Sequence, residues 1–145
     1  MAEFIVSADQ EVALNQSAIL TPYSPCTRNT SVMFQNGNII LRGVVNNPYA
    51  QYAVFDVQFI GNIAIPTGGT VGSIAVGITA NGTLQQDSVG IVTPAAVEEF
   101  ENIIADTRLY VYRGTVISPA LTNIVPSVGP ITIRGGSKVK VTRVA

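Results

Sequence analysis

The chain has no histidine, no tryptophan and a single cysteine in 145 residues. Without histidine, the commonest general base and the commonest transition-metal ligand are both missing. Cys26 alone can form neither an intrachain disulfide nor a zinc site. It is read as a small apolar filler, in a fold that must live on packing. Charge is scarce as well: 8 basic and 9 acidic residues make up 12% of the chain, against about 25% in soluble domains. A net charge of −1 without a basic run gives nucleic acid no patch on which to displace counterions. No apolar run approaches the ~18 residues of a membrane span. The opening Met1-Ala2-Glu3-Phe4-Ile5-Val6-Ser7-Ala8-Asp9 has no basic region and no sustained apolar core, so it is not a secretory signal. The expected site of synthesis is the cytoplasm, with no membrane and no nucleic acid among the partners.

Chemistry is sparse in what remains. No phosphate-cradling Gly-x-x-x-x-Gly-Lys-Ser/Thr string occurs. Gly68-Gly69-Thr70-Val71-Gly72-Ser73 lacks the lysine and reads as a loop entering a strand. Glu98, Glu99, Glu101 and Asp106 are the one acidic cluster, with Asp56 and Asp87 isolated. A glycosidase needs two carboxylates flanking a sugar cleft, and no tryptophan platform accompanies these. The reading is therefore not an enzyme, with no catalytic residue, no cofactor and no metal. Arg134, Lys138, Lys140 and Arg143 form the one local basic cluster, and its low density favours a reading as solvated strand faces. The Asn-x-Ser/Thr triplets at Asn15, Asn29 and Asn81 read as chance matches in an Asn-rich chain.

Length and turn chemistry carry the positive reading. At 15.3 kDa the surface laws give about 7,100 Å² folded against about 22,000 Å² unfolded. That is enough burial for one core, and one domain over 1–145 is expected. Asn36-Gly37 lies between the apolar segments 31–34 and 39–42, Asn81-Gly82 follows 74–79, and Gly135-Gly136 separates 131–133 from 139–141; such pairs tolerate the positive φ of type I′ hairpin turns. In 53–59, Phe55, Val57 and Phe59 share a face opposite Asp56 and Gln58. Ile74, Val76 and Ile78 oppose Ala75, Gly77 and Thr79. Tyr110 and Tyr112 fall on one side of 109–113. Pro66–Gly69 and Pro126–Pro130 are loops.

One stretch carries conflicting signals. Thr93 has the character of a helix cap with Pro94 in first position, and Val97, Phe100 and Ile104 fall at helical spacing. The surrounding β pattern instead favours a loop running into a strand over Pro94–Ile104, and that reading is preferred because tertiary context overrides propensity. The sum is an all-β, antiparallel β-sandwich or barrel of roughly eight to ten strands.

Two tyrosine pairs are the candidate contact residues. Tyrosine suits interfaces that are apolar with one wet edge, so Tyr110 and Tyr112 are assigned to a subunit interface. Tyr49 and Tyr52, beside Pro48, form either a glycan-stacking surface or ordinary packing in a core or interface. Low charge agrees with an exposed surface rich in Asn, Gln, Ser and Thr, and with one partly covered by copies of the same chain, because interface centres are depleted in charge.

Four strings occur together and in order. They are Ala8-Asp9-Gln10-Glu11-Val12-Ala13-Leu14-Asn15-Gln16, Ile63-Ala64-Ile65-Pro66-Thr67-Gly68-Gly69-Thr70-Val71-Gly72, Ile91-Val92-Thr93-Pro94-Ala95-Ala96-Val97-Glu98-Glu99, and Tyr112-Arg113-Gly114. Together they resemble small proteins encoded by phages and prophages of gut Firmicutes, from about Phe4 to the end. The resemblance implies a jelly roll of the tumour-necrosis-factor or C1q type that assembles as a homotrimer. It also implies a capsid decoration or head-fibre role on the virion surface, with the phage major capsid protein or another virion component as partner. A receptor- or glycan-binding tip domain of a phage fibre is the alternative. Many relatives carry further cysteines where this chain has only Cys26, so a shared disulfide or metal role lacks its residues here. No catalytic residue is carried over.

Overall fold

The structure, a computed structural model, describes residues 2–23, 32–43 and 49–144. Cys26, Asn29 and Pro48 lie outside the described residues. Alternation of apolar and polar side chains gives fourteen strands among those described: β1 (Ala2–Ile5), β2 (Gln10–Val12), β3 (Thr21–Pro22), β4 (Val32–Gln35), β5 (Asn38–Arg42), β6 (Tyr52–Ala64), β7 (Ile74–Ala80), β8 (Thr83–Leu84), β9 (Gly90–Val92), β10 (Glu101–Tyr112), β11 (Val116–Ile117), β12 (Pro119–Asn123), β13 (Ile131–Ile133) and β14 (Lys138–Arg143). The number exceeds the expected eight to ten because several pieces are only two or three residues long. Every strand pairing is antiparallel.

One layer is a seven-stranded sheet built on β6. Strand β10 runs along one flank of β6 through twelve paired residues, from Glu101 opposite Ile63 to Tyr112 opposite Tyr52. The other flank carries β13 and then β14 end to end, with β2 beyond β13, and β1 and β3 beyond β14. The opposing layer comprises β12-β7 with β8 and β9, and β11-β5-β4. Phe55, Val57 and Phe59 point between the layers and are fully buried, as are Ile74, Val76 and Ile78. Phe4 of β1 stacks on Phe34 of β4 at 5.5 Å and ties the two layers together. Both alternations, 53–59 and 74–79, therefore send their large apolar side chains inward as the sequence predicts. The far face of β7 is not wet, however. A side chain on Gly77 would meet Leu84 at 2.6 Å and Ile124 at 3.0 Å, so the neighbouring segments close over it.

Two of the three hairpin turns form as expected. Asn36 and Gly37 have φ of +52° and +79° between Gln35 and its partner Asn38. Asn81 and Gly82 have φ of +51° and +84° between Ala80 and Thr83. Positive φ at both central residues is the I′ geometry. The third is a correction. Strands β13 and β14 pair not with each other but both with β6, so Gly135-Gly136 is an excursion within one interrupted strand. Here Gly136 N–H donates to Val6 O at 2.8 Å and Ser137 N–H to Arg134 O at 3.2 Å. Between Thr93 and Phe100 the chain is a loop with Glu98 at φ +58°, and strand β10 follows from Glu101. The loop-into-strand reading holds there over the helical one.

Candidate functional site

The outward face of the seven-stranded sheet carries the side chains that the core leaves unused. Register sets them in rows across the strands. At one end Asn62 faces Asn102. Next come Ile5, Lys138, Ile60 and Ile104, a mainly apolar row. A polar belt follows, with Glu3, Lys140, Gln58 and Asp106 in one row and Thr142, Asp56 and Arg108 in the next. The far end is aromatic: Val54 faces Tyr110, and Tyr52 faces Tyr112.

Tyr110 and Tyr112 project outward because Leu109 and Val111 take the core side of β10. Tyr52 reaches them from the start of β6. Its ring lies 5.6 Å from Tyr110 and 5.8 Å from Tyr112, at interplanar angles of 63° and 62°. These are edge-to-face contacts of the kind aromatic quadrupoles favour. The three rings remain 46%, 50% and 60% exposed. Half of three tyrosines is on the order of 300 Å² of surface, the size of patch that is often functional. Val144, also exposed, follows the last strand beside them, its N–H bonded to Val54 O at 2.8 Å.

The two predicted tyrosine pairs are thus redistributed. Tyr52 joins Tyr110 and Tyr112 in one cluster. Tyr49 stands on the preceding segment and is 90% exposed. That segment is fastened to the end of β10, where the Arg113 guanidinium donates through Nε to Ala50 O at 3.0 Å and through Nη2 to the same oxygen at 2.5 Å.

The polar belt surrounds a cleft of about 220 Å³ bordered by Asp56, Gln58, Asp106, Lys140 and Thr142. Arg108 clamps Asp56 through Nε–Oδ1 at 2.9 Å and Nη2–Oδ2 at 3.4 Å. The Asp56 carboxylate, first by that hydrogen bond and then by its charge, holds the Arg108 guanidinium above its ordinary pKa. Both partners are partly exposed, so the pair orients the belt more than it stabilises the fold.

The acidic quartet disperses. Glu98 sits in the loop and accepts a hydrogen bond from Thr67 Oγ1. Glu101 and Asp106 lie five residues apart in β10 and so on opposite faces. Asp87 accepts from Thr107 Oγ1 at 2.8 Å and braces β10 from the side. Among the described residues no three carboxylates or cysteines gather in a metal-holding group.

Sequence reasoning missed Tyr52 as a member of the aromatic cluster and missed the isoleucine row. Alternation does place Tyr52, Val54, Asp56, Gln58 and Ile60 on one side of β6. What joins them to β10 is register between segments about 50 residues apart, which no local pattern prints.

An antiparallel two-layer fold of this strand order defines a jelly roll of the tumour-necrosis-factor kind. The chain is similar to the solved structure of Eiger TNF from S. frugiperda, with a TM-score of 0.64 at 9% identity, over 99% of this chain and 91% of that one. At that identity the likeness speaks for the fold alone. No family model and no curated protein matches the chain.

Proposed function

We propose that this chain is a non-enzymatic bacteriophage virion structural protein, a homotrimeric capsid decoration or head-fibre subunit. The observation that carries the reading is the exposed trio Tyr52, Tyr110 and Tyr112 on the open face of a jelly roll. Three half-wet rings already in mutual contact are a surface that gains by being covered, and tyrosine is enriched at such interfaces. Scarce charge supports cover by sister copies, as does the resemblance of the four ordered strings to phage-encoded proteins. Closed symmetry would then hide the patch without leaving a growing end. Low charge suits a protein assembled onto particles in the host cytoplasm and displayed on the virion surface, among sister copies.

Electron microscopy of the parent particle tests the proposal. Density fitting this jelly roll at three-fold positions of the capsid, against the major capsid protein, upholds it. A virion that lacks the chain ends it.

A fibre tip that binds a receptor glycan is the second reading, favoured by Tyr49, which is almost fully exposed and precedes Ala50, whose carbonyl accepts from Arg113. Aromatic faces of that kind can stack on sugar rings. A glycan array probed with the assembled protein separates the two: silence favours decoration, and a signal lost in Tyr49→Ala favours the tip.

A further inference from the structure

At the end of the sheet face opposite the tyrosines, the excursion between β13 and β14 rises over the Asn62–Asn102 pair. It borders an open notch of about 300 Å³ whose lining includes Ile60, Asn62, Asn102, Arg134 and Lys138. We infer that this notch is an oxyanion site, taking a sulfate, phosphate or carboxylate group.

Four observations converge on that chemistry. Two cations border the notch, and no carboxylate lines it. The Asp9 carboxylate stands behind the rim, where its Oδ1 accepts from Gly135 N–H at 2.8 Å. Arg134 is held in place without being neutralised: its Cζ lies 5.3 Å from the centroid of the Phe100 ring. Among the described residues the acidic partner of an ion pair is Asp56, bound to Arg108, and neither Arg134 nor Lys138 has such a partner.

The amides add neutral donors. Asn102 Nδ2 reaches Asn62 Oδ1 and Gly61 O only at 3.4 Å each, long for hydrogen bonds. Those donors are therefore weakly engaged and available to a shorter partner. A planar guanidinium with a free fork, an ammonium and amide N–H groups form the donor set that oxyanions accept from. The two cations repel one another at neutral pH, and an anion seated between them relieves that repulsion. Partial enclosure strengthens the attraction relative to open water.

The excursion also explains Gly61. A Cβ there would lie 2.4 Å from both Cβ and Oγ of Ser137, so the notch wall and the glycine are fitted to each other. Ser137 Oγ in turn accepts from Asn62 N–H at 3.3 Å, which fixes the base of the wall to β6.

The test uses the full chain in its native assembly state, labelled for amide NMR. Sodium sulfate is titrated against sodium chloride at matched ionic strength, then glucose 6-sulfate against glucose. The site predicts saturable shifts at Asn62, Asn102 and 134–138 with sulfate and none with chloride. Arg134→Ala with Lys138→Ala should weaken sulfate at least tenfold. Should loss of the Phe100 contact unfold that variant, Lys138→Ala alone carries the test, with weakening of about fivefold. Glucose 6-sulfate binding more tightly than sulfate assigns the site to sugar-borne anions, and equal affinity assigns it to free ones. Equal shifts with chloride, unchanged sulfate affinity in the folded variant, or glucose binding as well as its sulfate would each overturn the inference.

Discussion

Tyr52 lies directly opposite Tyr112 in the β6–β10 ladder, and their rings meet edge-on with centroids 5.8 Å apart. Two side chains 60 residues apart in sequence thus form the centre of the aromatic patch. The same ladder puts Asp56 opposite Arg108, so aromatic contact and ion pair stand or fall with one register.

Tyr110→Ser combined with Tyr112→Ser is expected to leave the sheet intact, since both side chains point away from the core. Sedimentation velocity should then find the 15.3 kDa single chain in place of the proposed trimer, with an unchanged far-ultraviolet spectrum. An undiminished trimer would remove the tyrosines from the interface.

Phe59→Ala should be among the most damaging single changes. The ring is fully buried at the middle of β6, between β10 and β14. Truncation of a buried phenylalanine costs about 3–5 kcal/mol, from lost transfer energy and the cavity left behind. Urea unfolding should show a lower midpoint with little change in slope.

Asn123→Ala removes a polar brace. Its Nδ2 donates to Val12 O and to Gly129 O, both at 3.0 Å, and joins β12 to β2 and to the loop after it. The partnerless Oδ1 is a cost the native protein already bears, and alanine would relieve it. Two orphaned carbonyls outweigh that relief, and a net loss of about 1–3 kcal/mol is expected. Equilibrium unfolding that shows no loss would mean water replaces the amide without penalty.

Gly82→Ala and Gly43→Ala should both destabilise, for different reasons. At Gly82 the φ is +84° with open space around it, so the cost is backbone strain of about 1–2 kcal/mol, less for Gly82→Asn. At Gly43 a Cβ would lie 2.2 Å from Tyr112 O, a collision with backbone that asparagine cannot ease. Thermal melts of the four alanine and asparagine variants separate the mechanisms: asparagine rescues at 82 and fails at 43.

Which parts were legible in the sequence follows from how local their causes are. Asn36-Gly37 and Asn81-Gly82 announce hairpins because the dipeptide itself supplies the positive φ. Gly135-Gly136 carries a similar signal but a different meaning. Whether flanking strands fold back on each other or continue along a third depends on β6, a thirteen-residue partner far away in sequence. The burial of both faces of β7 was equally hidden, since Ala75, Gly77 and Thr79 are too small to signal a core face, and Gly77 leaves room for Ile124 and Leu84. Tyr110 and Tyr112 were readable as outward-facing from alternation. Their meeting with Tyr52 was not.

The pairing of Ala2 with Val141 sets the first and last strands side by side. A short peptide bridge between them, with the backbone cut at Asn81-Gly82, should give a circularly permuted chain that keeps every ladder but the one at the cut. For display, the same adjacency means that segments joined before β1 and after β14 start from the same end of the sheet.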